Sequence, residues 1–234
     1  MKAVLLAAGL GTRLRPLTEK VPKCLVPIHG KPLLAYWFDL LFEAGIESAL
    51  VNTHYMADTV RDFVASSPWR DRIRLMHEEE LLGTGGTVLR ARDFVGDEAF
   101  MVIHADNLSR FDVRAFIERH RSRPPGVEIT MMTFRTDVPR SCGIVKLDPR
   151  GVVVELHEKV ENPPGDIANA AVYIFEPSVL DFLASLPGPF IDVSTQVLPR
   201  YVGRMHTFHN ADFHRDIGTL ESLRLAHDEY PVPG

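Results

Sequence analysis

Four short runs rich in Val, Ile and Leu dominate the first half of the chain, at Lys2 to Ala8, Ser48 to Thr53, Ile73 to His77 and Ala99 to His104. Stretches of helical period separate them. Strands buried on both faces read as near-continuous apolar runs, and helices covering both faces of a largely parallel sheet produce this alternation. Leu33 to Ala44 carries Leu34, Trp37, Phe38, Leu41 and Phe42 at helical spacing, with Gly45 where a C-terminal cap belongs. Thr84 to Phe94 and Val113 to Arg121 are further expected helices, the second introduced by Asp112 as N-cap. From Arg123-Pro124-Pro125-Gly126 onward the pattern turns β-rich, with strands expected at Val127 to Arg135, Gly143 to Leu147, Val152 to His157 and Ala170 to Phe175. Asn162-Pro163-Pro164-Gly165 and Leu186-Pro187-Gly188-Pro189 are loop punctuation too short for a free linker. The expectation is an α/β fold of three layers, α/β/α, with a mixed, mainly parallel sheet. It forms one domain over residues 1–234, whose halves, 1–122 and 123–234, differ in character. The tail from Tyr230 onward is expected to fray.

Composition removes several classes of function. Lys and Arg number 26 against 31 Asp and Glu, a net charge of -5, and no long basic run compensates it, so a nucleic-acid surface is not expected. Cys24 and Cys142 lack zinc-site spacing and are too few for an oxidised framework, which points to a reducing cytoplasm. The apolar run from Met1 to Ala8 is too short for a signal peptide, and nowhere do about 18 apolar residues run together, so neither secretion nor a membrane span is expected. The ten histidines are scattered, without the helical pairing with an acid that a metal site uses.

The chemistry concentrates in Ala7-Ala8-Gly9-Leu10-Gly11-Thr12-Arg13-Leu14-Arg15-Pro16-Leu17-Thr18, a glycine-rich turn directly after the first apolar run. Glycines let backbone N–H groups approach phosphate oxygens, and guanidinium forks neutralise and orient them. The dinucleotide fingerprint would need glycine where Leu14 stands, and no Gly-Lys-Ser/Thr of a Walker loop occurs. Farther on, Pro22-Lys23-Cys24-Leu25-Val26-Pro27 brackets a lysine between prolines, where an extended, stiff segment is expected to hold it as a point charge for a phosphate. Cys24 has no sequence neighbour to act as base and reads as a small buried residue.

Gly9 to Thr18 followed by Pro22-Lys23 resembles the signature of the sugar-1-phosphate nucleotidyltransferases, or nucleotide-sugar pyrophosphorylases. The likeness continues in order through Leu82-Gly83-Thr84-Gly85-Gly86, Ala105-Asp106-Asn107, Glu158-Lys159, Asn169-Ala170-Ala171-Val172-Tyr173 and Asp216-Ile217-Gly218-Thr219. It implies the Rossmann-like fold of that family, with a β-rich sugar-binding half. The implied reaction is attack of a sugar 1-phosphate oxygen on the α-phosphorus of a nucleoside triphosphate, giving a nucleoside-diphosphate sugar and pyrophosphate.

Carried over by position, Arg13 would meet the triphosphate and the departing pyrophosphate, and Lys23 a phosphate of the sugar 1-phosphate or the α-phosphate. Ala8, Gly9, Gly11 and Thr12 would line the nucleotide. Asp106 and Asp216 match the family's two acidic ligands to Mg²⁺. Asn107, Gly143, Glu158, Lys159 and Asn169 would surround the sugar and its phosphate. Gly83, Thr84 and Gly85 would lie against the base, with Glu80 beside them as a carboxylate suited to the adjacent N–H donors of guanine. Taken alone, Asp106 and Asp216 would read as turn aspartates; the pairing of the two motifs is what makes them ligands.

The stretch Glu80-Leu81-Leu82-Gly83-Thr84-Gly85-Gly86 and the short length resemble the mannose-1-phosphate and manno-heptose-1-phosphate guanylyltransferases. A UTP-dependent enzyme, for example one acting on N-acetylmuramate 1-phosphate, and a more distant cytidylyl transfer to phosphocholine are further readings. A catalytically idle nucleotide-sugar sensor is the reading from another class. The chain departs from the family at Gly85-Gly86, at Val160 after Glu158-Lys159, at His104 before Asp106, and at Phe213-His214-Arg215 before Asp216. Because it stops soon after Leu220 to Ala226, the resemblance makes it a minimal catalytic form, without acetyltransferase activity. The oligomeric state stays open between monomer and homodimer.

Overall fold

The computed structural model describes residues 1–231. Contacts group them into two compact units that interleave along the chain: an N-terminal unit of Lys2–Leu81, His104–Phe111 and the described residues from Asp212 on, and a central unit of Leu82–Ile103 and Asp112–Ala211.

In the N-terminal unit, strand Ala3–Leu6 pairs in parallel with Ala49–Thr53, which pairs in parallel with Ile73–His77. The first two are buried along their whole length, which is why they read as near-continuous apolar runs, interrupted only by Asn52 and Thr53 at the end of the second. Helix Leu33–Glu43 connects the first pair, burying Leu33, Leu34, Trp37, Phe38, Leu41 and Phe42. Helix Ala57–Ser66 connects the second pair, where the alternation implies a helix but no range could be assigned from the sequence. It buries only Val60 and Val64, so its apolar stripe is too sparse to register as periodic.

The same unit holds a two-stranded antiparallel ribbon, Asn107–Arg110 with Phe213–Asp216. Its residues have little strand propensity, and its pairing spans half the chain, so no local pattern announces it. Helix Leu220–Glu229 follows, started by a capping box between Thr219 and Ser222. Leu14, Val26, Ile28, Leu33, Leu108, Ile217 and Ala226 form one buried cluster, on which Tyr36, Phe213 and Tyr230 pack. Each Leu, Ile or Val side chain in it contributes about 1.5–3 kcal/mol by leaving water, and Ala226 less. Tyr230 meets Tyr36 and Phe213 edge-on, at 5.1 and 5.2 Å, so the expected fraying does not reach it. Residues 232–234, where the tail was also expected to fray, lie outside the described residues.

In the central unit, strand Ile167–Phe175 is the hub, antiparallel to Phe100–His104 on one side and to Ile129–Arg135 on the other. Its start also meets Gly143–Leu147, which forms a hairpin with Val153–Glu158, and Met205–His209 adds in parallel to Ile129–Arg135. The hub strand begins at Ile167 rather than at Ala170, and its ladder is interrupted between Asn169 and Tyr173, four residues being matched by the two steps from Thr133 to Met131. The expected helix Thr84 to Phe94 is two, Gly83–Arg90 and Arg92–Val95, and Ser178–Ser185 is a helix the sequence reading lacked. Asp112 caps helix Val113–Arg121 as expected, accepting from the Ala115 N–H at 2.9 Å.

The chain is thus of the α/β class, with a sheet parallel in the N-terminal unit and mixed in the central unit. Among the described residues no helix is long and apolar enough to cross a membrane.

Candidate functional site

The first strand ends where its backbone is caught by a side chain from the second. Asn52 Oδ1 accepts from the Ala7 N–H at 2.6 Å, and Asn52 Nδ2 donates to Glu78 Oε1 at 3.0 Å. Both side chains are buried, so the loop after Ala7 leaves the sheet from a fixed point. The sequence reading passed over this pair. Its signal was a lone asparagine inside the apolar run Ala49-Leu50-Val51-Asn52-Thr53.

Ala8 is buried, and Gly9 has open space where a side chain would stand. Gly11 is required twice: its φ is +63°, and a Cβ there would lie 2.9 Å from Thr18 Cγ2 and 3.1 Å from Lys23 Cβ. The Thr18 hydroxyl donates to the Gly11 carbonyl at 2.7 Å and closes the loop. A single 3₁₀ turn, Thr12–Leu14, then buries Leu14 and leaves Thr12 and Arg13 exposed.

Lys23 does not lie in an extended segment. Pro22 is extended, but Lys23–Leu25 is a 3₁₀ turn that carries the lysine inward until 7% of it remains exposed. Its ammonium donates to Asp106 Oδ2 at 2.6 Å and stands 3.6 Å from Asp216 Oδ1. These two aspartates, far apart in the chain, are neighbours because the ribbon pairs Asp216 with Asn107, and the Ile217 N–H donates to the Asp106 carbonyl at 3.1 Å. Arg13 joins them over Gly218, where a Cβ would meet Asp216 Oδ2 at 2.5 Å and Arg13 Nη2 at 3.0 Å. Arg13, Lys23, Asp106 and Asp216 are therefore brought together in one cluster. Gly218 is the addition that only the structure supplies.

The two carboxyls sit in different balances. Burial pushes Asp106 up, but the Lys23 and His104 charges and its hydrogen bonds outweigh that and hold it below the usual carboxylate range. Asp216 moves the other way, because burial and the nearby Asp106 charge exceed the pull of Lys23 and Arg13. With 56% of its side chain still open to water, that push is partial. His214, paired with Ser109 at 2.6 Å, is forced down to about 3 by burial and is neutral at ordinary pH. Cys24 is buried, and burial drives its thiol up to about 12, which removes it as a nucleophile.

A second cluster lies in the central unit. A Cβ on Gly143 would sit 2.6 Å from Glu158 Oε2 and 3.7 Å from Asn169 Cβ, so the absent side chain makes room for the carboxylate beside the asparagine. The Lys159 N–H donates to the Cys142 carbonyl at 3.1 Å, and Lys159 Nζ stands 3.3 Å from Glu158 Oε1. Gly143, Glu158, Lys159 and Asn169 are thus brought together. Asn107 belongs instead to the ribbon of the N-terminal unit, where its carbonyl accepts from Trp37 Nε1 at 2.8 Å.

The glycine-rich stretch at 83–86 has a packing reason of its own. Gly83 has φ +72° and a Cβ there would lie 2.5 Å from the Ile191 carbonyl oxygen, while one on Gly85 would lie 2.6 Å from Ile191 Cγ2. The Gly85 N–H donates to that carbonyl at 2.7 Å, and Thr84 Oγ1 accepts from the Val193 N–H, also at 2.7 Å. In the N-terminal unit Glu80 is exposed.

Among the described residues no group of three or more His, Cys, Asp or Glu could hold a metal ion. The donor set at Asp106 and Asp216 nevertheless fits Mg²⁺: both offer hard carboxylate oxygens to one cationic point, now taken by an ammonium, and Mg²⁺ characteristically takes one or two carboxylates and completes its shell with phosphate and water oxygens.

Known proteins match this architecture along nearly its whole length. The mannose-1-phosphate guanylyltransferase of Mycobacterium tuberculosis is 34% identical over 226 residues, 94% of this chain and 62% of that protein. The UTP--glucose-1-phosphate uridylyltransferase of a Synechocystis species is 30% identical over 94% of this chain and 61% of its own length. The chain thus spans about three-fifths of the length of these relatives. The structure of HddC from Yersinia pseudotuberculosis, in complex with GMP-PN, superposes with a TM-score of 0.82 at 27% identity, covering 98% of this chain and 99% of that one. With residues 2–231 matching the family described as nucleotidyl transferase, the chain belongs to that family.

Proposed function

We propose that the protein transfers a nucleoside monophosphate from a nucleoside triphosphate to a sugar 1-phosphate, releasing pyrophosphate. The observation that carries this reading is the buried Lys23 ammonium between Asp106 and Asp216, with Arg13 beside them. Transfer at phosphorus asks for little covalent help; it asks for positioned cations and excluded disorder at the reacting oxygens. Arg13 is exposed and free to fork onto triphosphate oxygens and onto the departing pyrophosphate. Lys23 supplies a point charge to the α-phosphate or to the sugar's phosphate, loosening its bond to Asp106 as it does so. Ala8, Gly9, Gly11 and Thr12 line the nucleotide, the open space at Gly9 admitting the ligand to the backbone.

Asp106 and Asp216 would hold Mg²⁺. Once bound, that ion would neutralise charge on the phosphate oxygens. Glu158 takes sugar hydroxyls, Lys159 the sugar's phosphate, and Asn169 the sugar, with Gly143 leaving the room. In this reading residues 1–122 serve the nucleotide and 123–234 the sugar, with Asp216 returning as the second ligand. An NTP-consuming enzyme with no disulfide among its described residues belongs in the cytoplasm, as a monomer or a homodimer.

For the substrates, GTP with mannose or manno-heptose 1-phosphate is the favoured pair. The Mycobacterium tuberculosis relative bears the name of a mannose-1-phosphate guanylyltransferase, and HddC was crystallised with GMP-PN. Glu80, Gly83, Thr84 and Gly85 would then read guanine. UTP is the second reading, favoured by the Synechocystis relative named as a uridylyltransferase. The test is pyrophosphate release with Mg²⁺ over ATP, GTP, UTP, CTP and dTTP against mannose, manno-heptose, glucose, N-acetylglucosamine and N-acetylmuramate 1-phosphates. Signal with GTP and a manno-configured sugar supports the first reading, and signal with UTP the second. Nucleotide binding without any turnover would replace both with a sensor.

A further inference from the structure

Asn169 sits at a costly piece of backbone. Its neighbour Ala171 has φ +53° and Lys159, across the same cluster, φ +49°, both in the left-handed region that side chains with a Cβ disfavour by about 1 kcal/mol or more. The ladder to Ile129–Arg135 is broken over the same residues, between Asn169 and Tyr173. Strain and a lost stretch of ladder persist only where surrounding interactions hold them.

Lys159 is held by the Cys142 carbonyl, whereas the interactions at Ala171 and Tyr173 converge on one carboxamide. Asn169 Oδ1 accepts from the Ala171 N–H at 2.9 Å, and Asn169 Nδ2 donates to Tyr173 Oη at 2.8 Å. A backbone N–H can only donate, so the oxygen must face Ala171 and the NH₂ must face the tyrosine. The amide cannot flip without setting N–H against N–H. Tyr173 itself is fully buried, and burial raises its phenol far above the ordinary value, so it stays neutral and keeps its oxygen as an acceptor. Among the described residues the other N–H of Asn169 has no hydrogen-bond partner. The side chain is partly exposed, beside the Glu158 carboxylate that Gly143 admits.

We propose that Tyr173 is a positioning residue for the sugar 1-phosphate: its phenol oxygen locks the Asn169 carboxamide so that an N–H donor, next to the Glu158 acceptor, is presented to the ligand. The bulge and the left-handed Ala171 are what bring Tyr173 back under Asn169, four residues away in the same strand. The resulting pair offers one donor and one acceptor side by side, which selects a ligand oxygen that can accept and a neighbouring hydroxyl that donates. This inference rests on the sugar-1-phosphate reading above.

The test is steady-state kinetics of Tyr173→Phe, which removes a single oxygen, with GTP against mannose 1-phosphate and, in parallel, UTP against glucose 1-phosphate. The expected result is a rise of about tenfold in KM for the sugar 1-phosphate, with kcat and the KM for the nucleotide changed less than about twofold. An unchanged KM for the sugar 1-phosphate overturns the inference. So does a parallel loss in kcat and both KM values together with a lower melting temperature, the mark of a merely structural hydroxyl. If Tyr173→Phe does not fold, Tyr173→Met, which also lacks the oxygen, carries the same expectation and the same refutation. A wild-type protein that turns over neither sugar 1-phosphate in the full substrate matrix overturns the functional reading and this inference with it. Turnover by the wild type with an unaltered variant overturns this inference alone.

Discussion

The two clusters of chemical residues are built from different materials. In the N-terminal unit a buried ammonium is held by two carboxylates at one end of a ribbon, Asp216 closing one strand and Asp106 just preceding the other, and the energetics are those of a charge taken out of water. In the central unit the ionic element is peripheral. There the holding is done by a neutral amide, a buried phenol and backbone bent into the left-handed region at Lys159 and Ala171. In the proposed reaction the first cluster would handle phosphoryl charge, which needs preorganised cations and anions, and the second would read a sugar ring, which needs fixed donors and acceptors. The contrast teaches which kind of substitution each cluster should tolerate.

The largest effect should come from the charged cluster. Asp106→Asn and Asp216→Asn are each expected to lower turnover at least a hundredfold, about 2.7 kcal/mol of transition-state stabilisation, while circular dichroism reports an unchanged fold. Near-normal turnover in both would break the comparison at its root. Next comes Gly83→Ala, which combines positive φ with a Cβ 2.5 Å from a backbone carbonyl and should cost about 2–3 kcal/mol in urea unfolding. Gly30→Ala, with φ +77° but open space, is the control and should cost about 1 kcal/mol.

The two aspartates should separate in stability as well. Asp106 has a lowered carboxyl pKa in the folded state, so its contribution is present above the ordinary aspartate value and is lost as pH falls through the folded one. Asp216 has a raised value, so ionising it disfavours the native state as pH climbs past the unfolded value. At pH 7, Asp106→Asn is expected to lower the melting temperature, and Asp216→Asn to raise it slightly. Equal losses in both would show that Lys23 needs the two carboxylates alike. The smallest effect belongs to the central cluster. Ala171→Gly relieves left-handed strain and gives back chain entropy, for a net gain of about 0.5 kcal/mol in urea unfolding.

Part of the fold is legible in the sequence alone. Strand Ile73–His77 and strand Gly143–Leu147 occur at the predicted residues, and Asp112 caps its helix, because period and cap chemistry are local properties. Helix Ala57–Ser66 escaped because two buried valines make a faint stripe, and the ribbon escaped because its strands are polar and distant in sequence. At the site, Arg13, Lys23, Asp106 and Asp216 could be named from motifs in order. Lys23 was nonetheless expected in an extended segment, and a 3₁₀ turn after Pro22 is what buries it. Tyr173 stood in a motif already noted but carried no polar signal of its own, since a tyrosine in an apolar strand reads as core.

By itself the sequence determined much of the order of elements, the glycine-rich loop after the first strand and the identity of the charged residues that the structure gathers around Lys23, all of which are read from neighbours a few residues apart. Only the tertiary structure decided that Asp216 lies beside Asn107, that Gly218 leaves open the space between Arg13 and Asp216, and that the Asn169 amide faces one way. Those depend on pairings between residues far apart in the chain and on where burial removes water, and neither quantity is encoded in any single stretch.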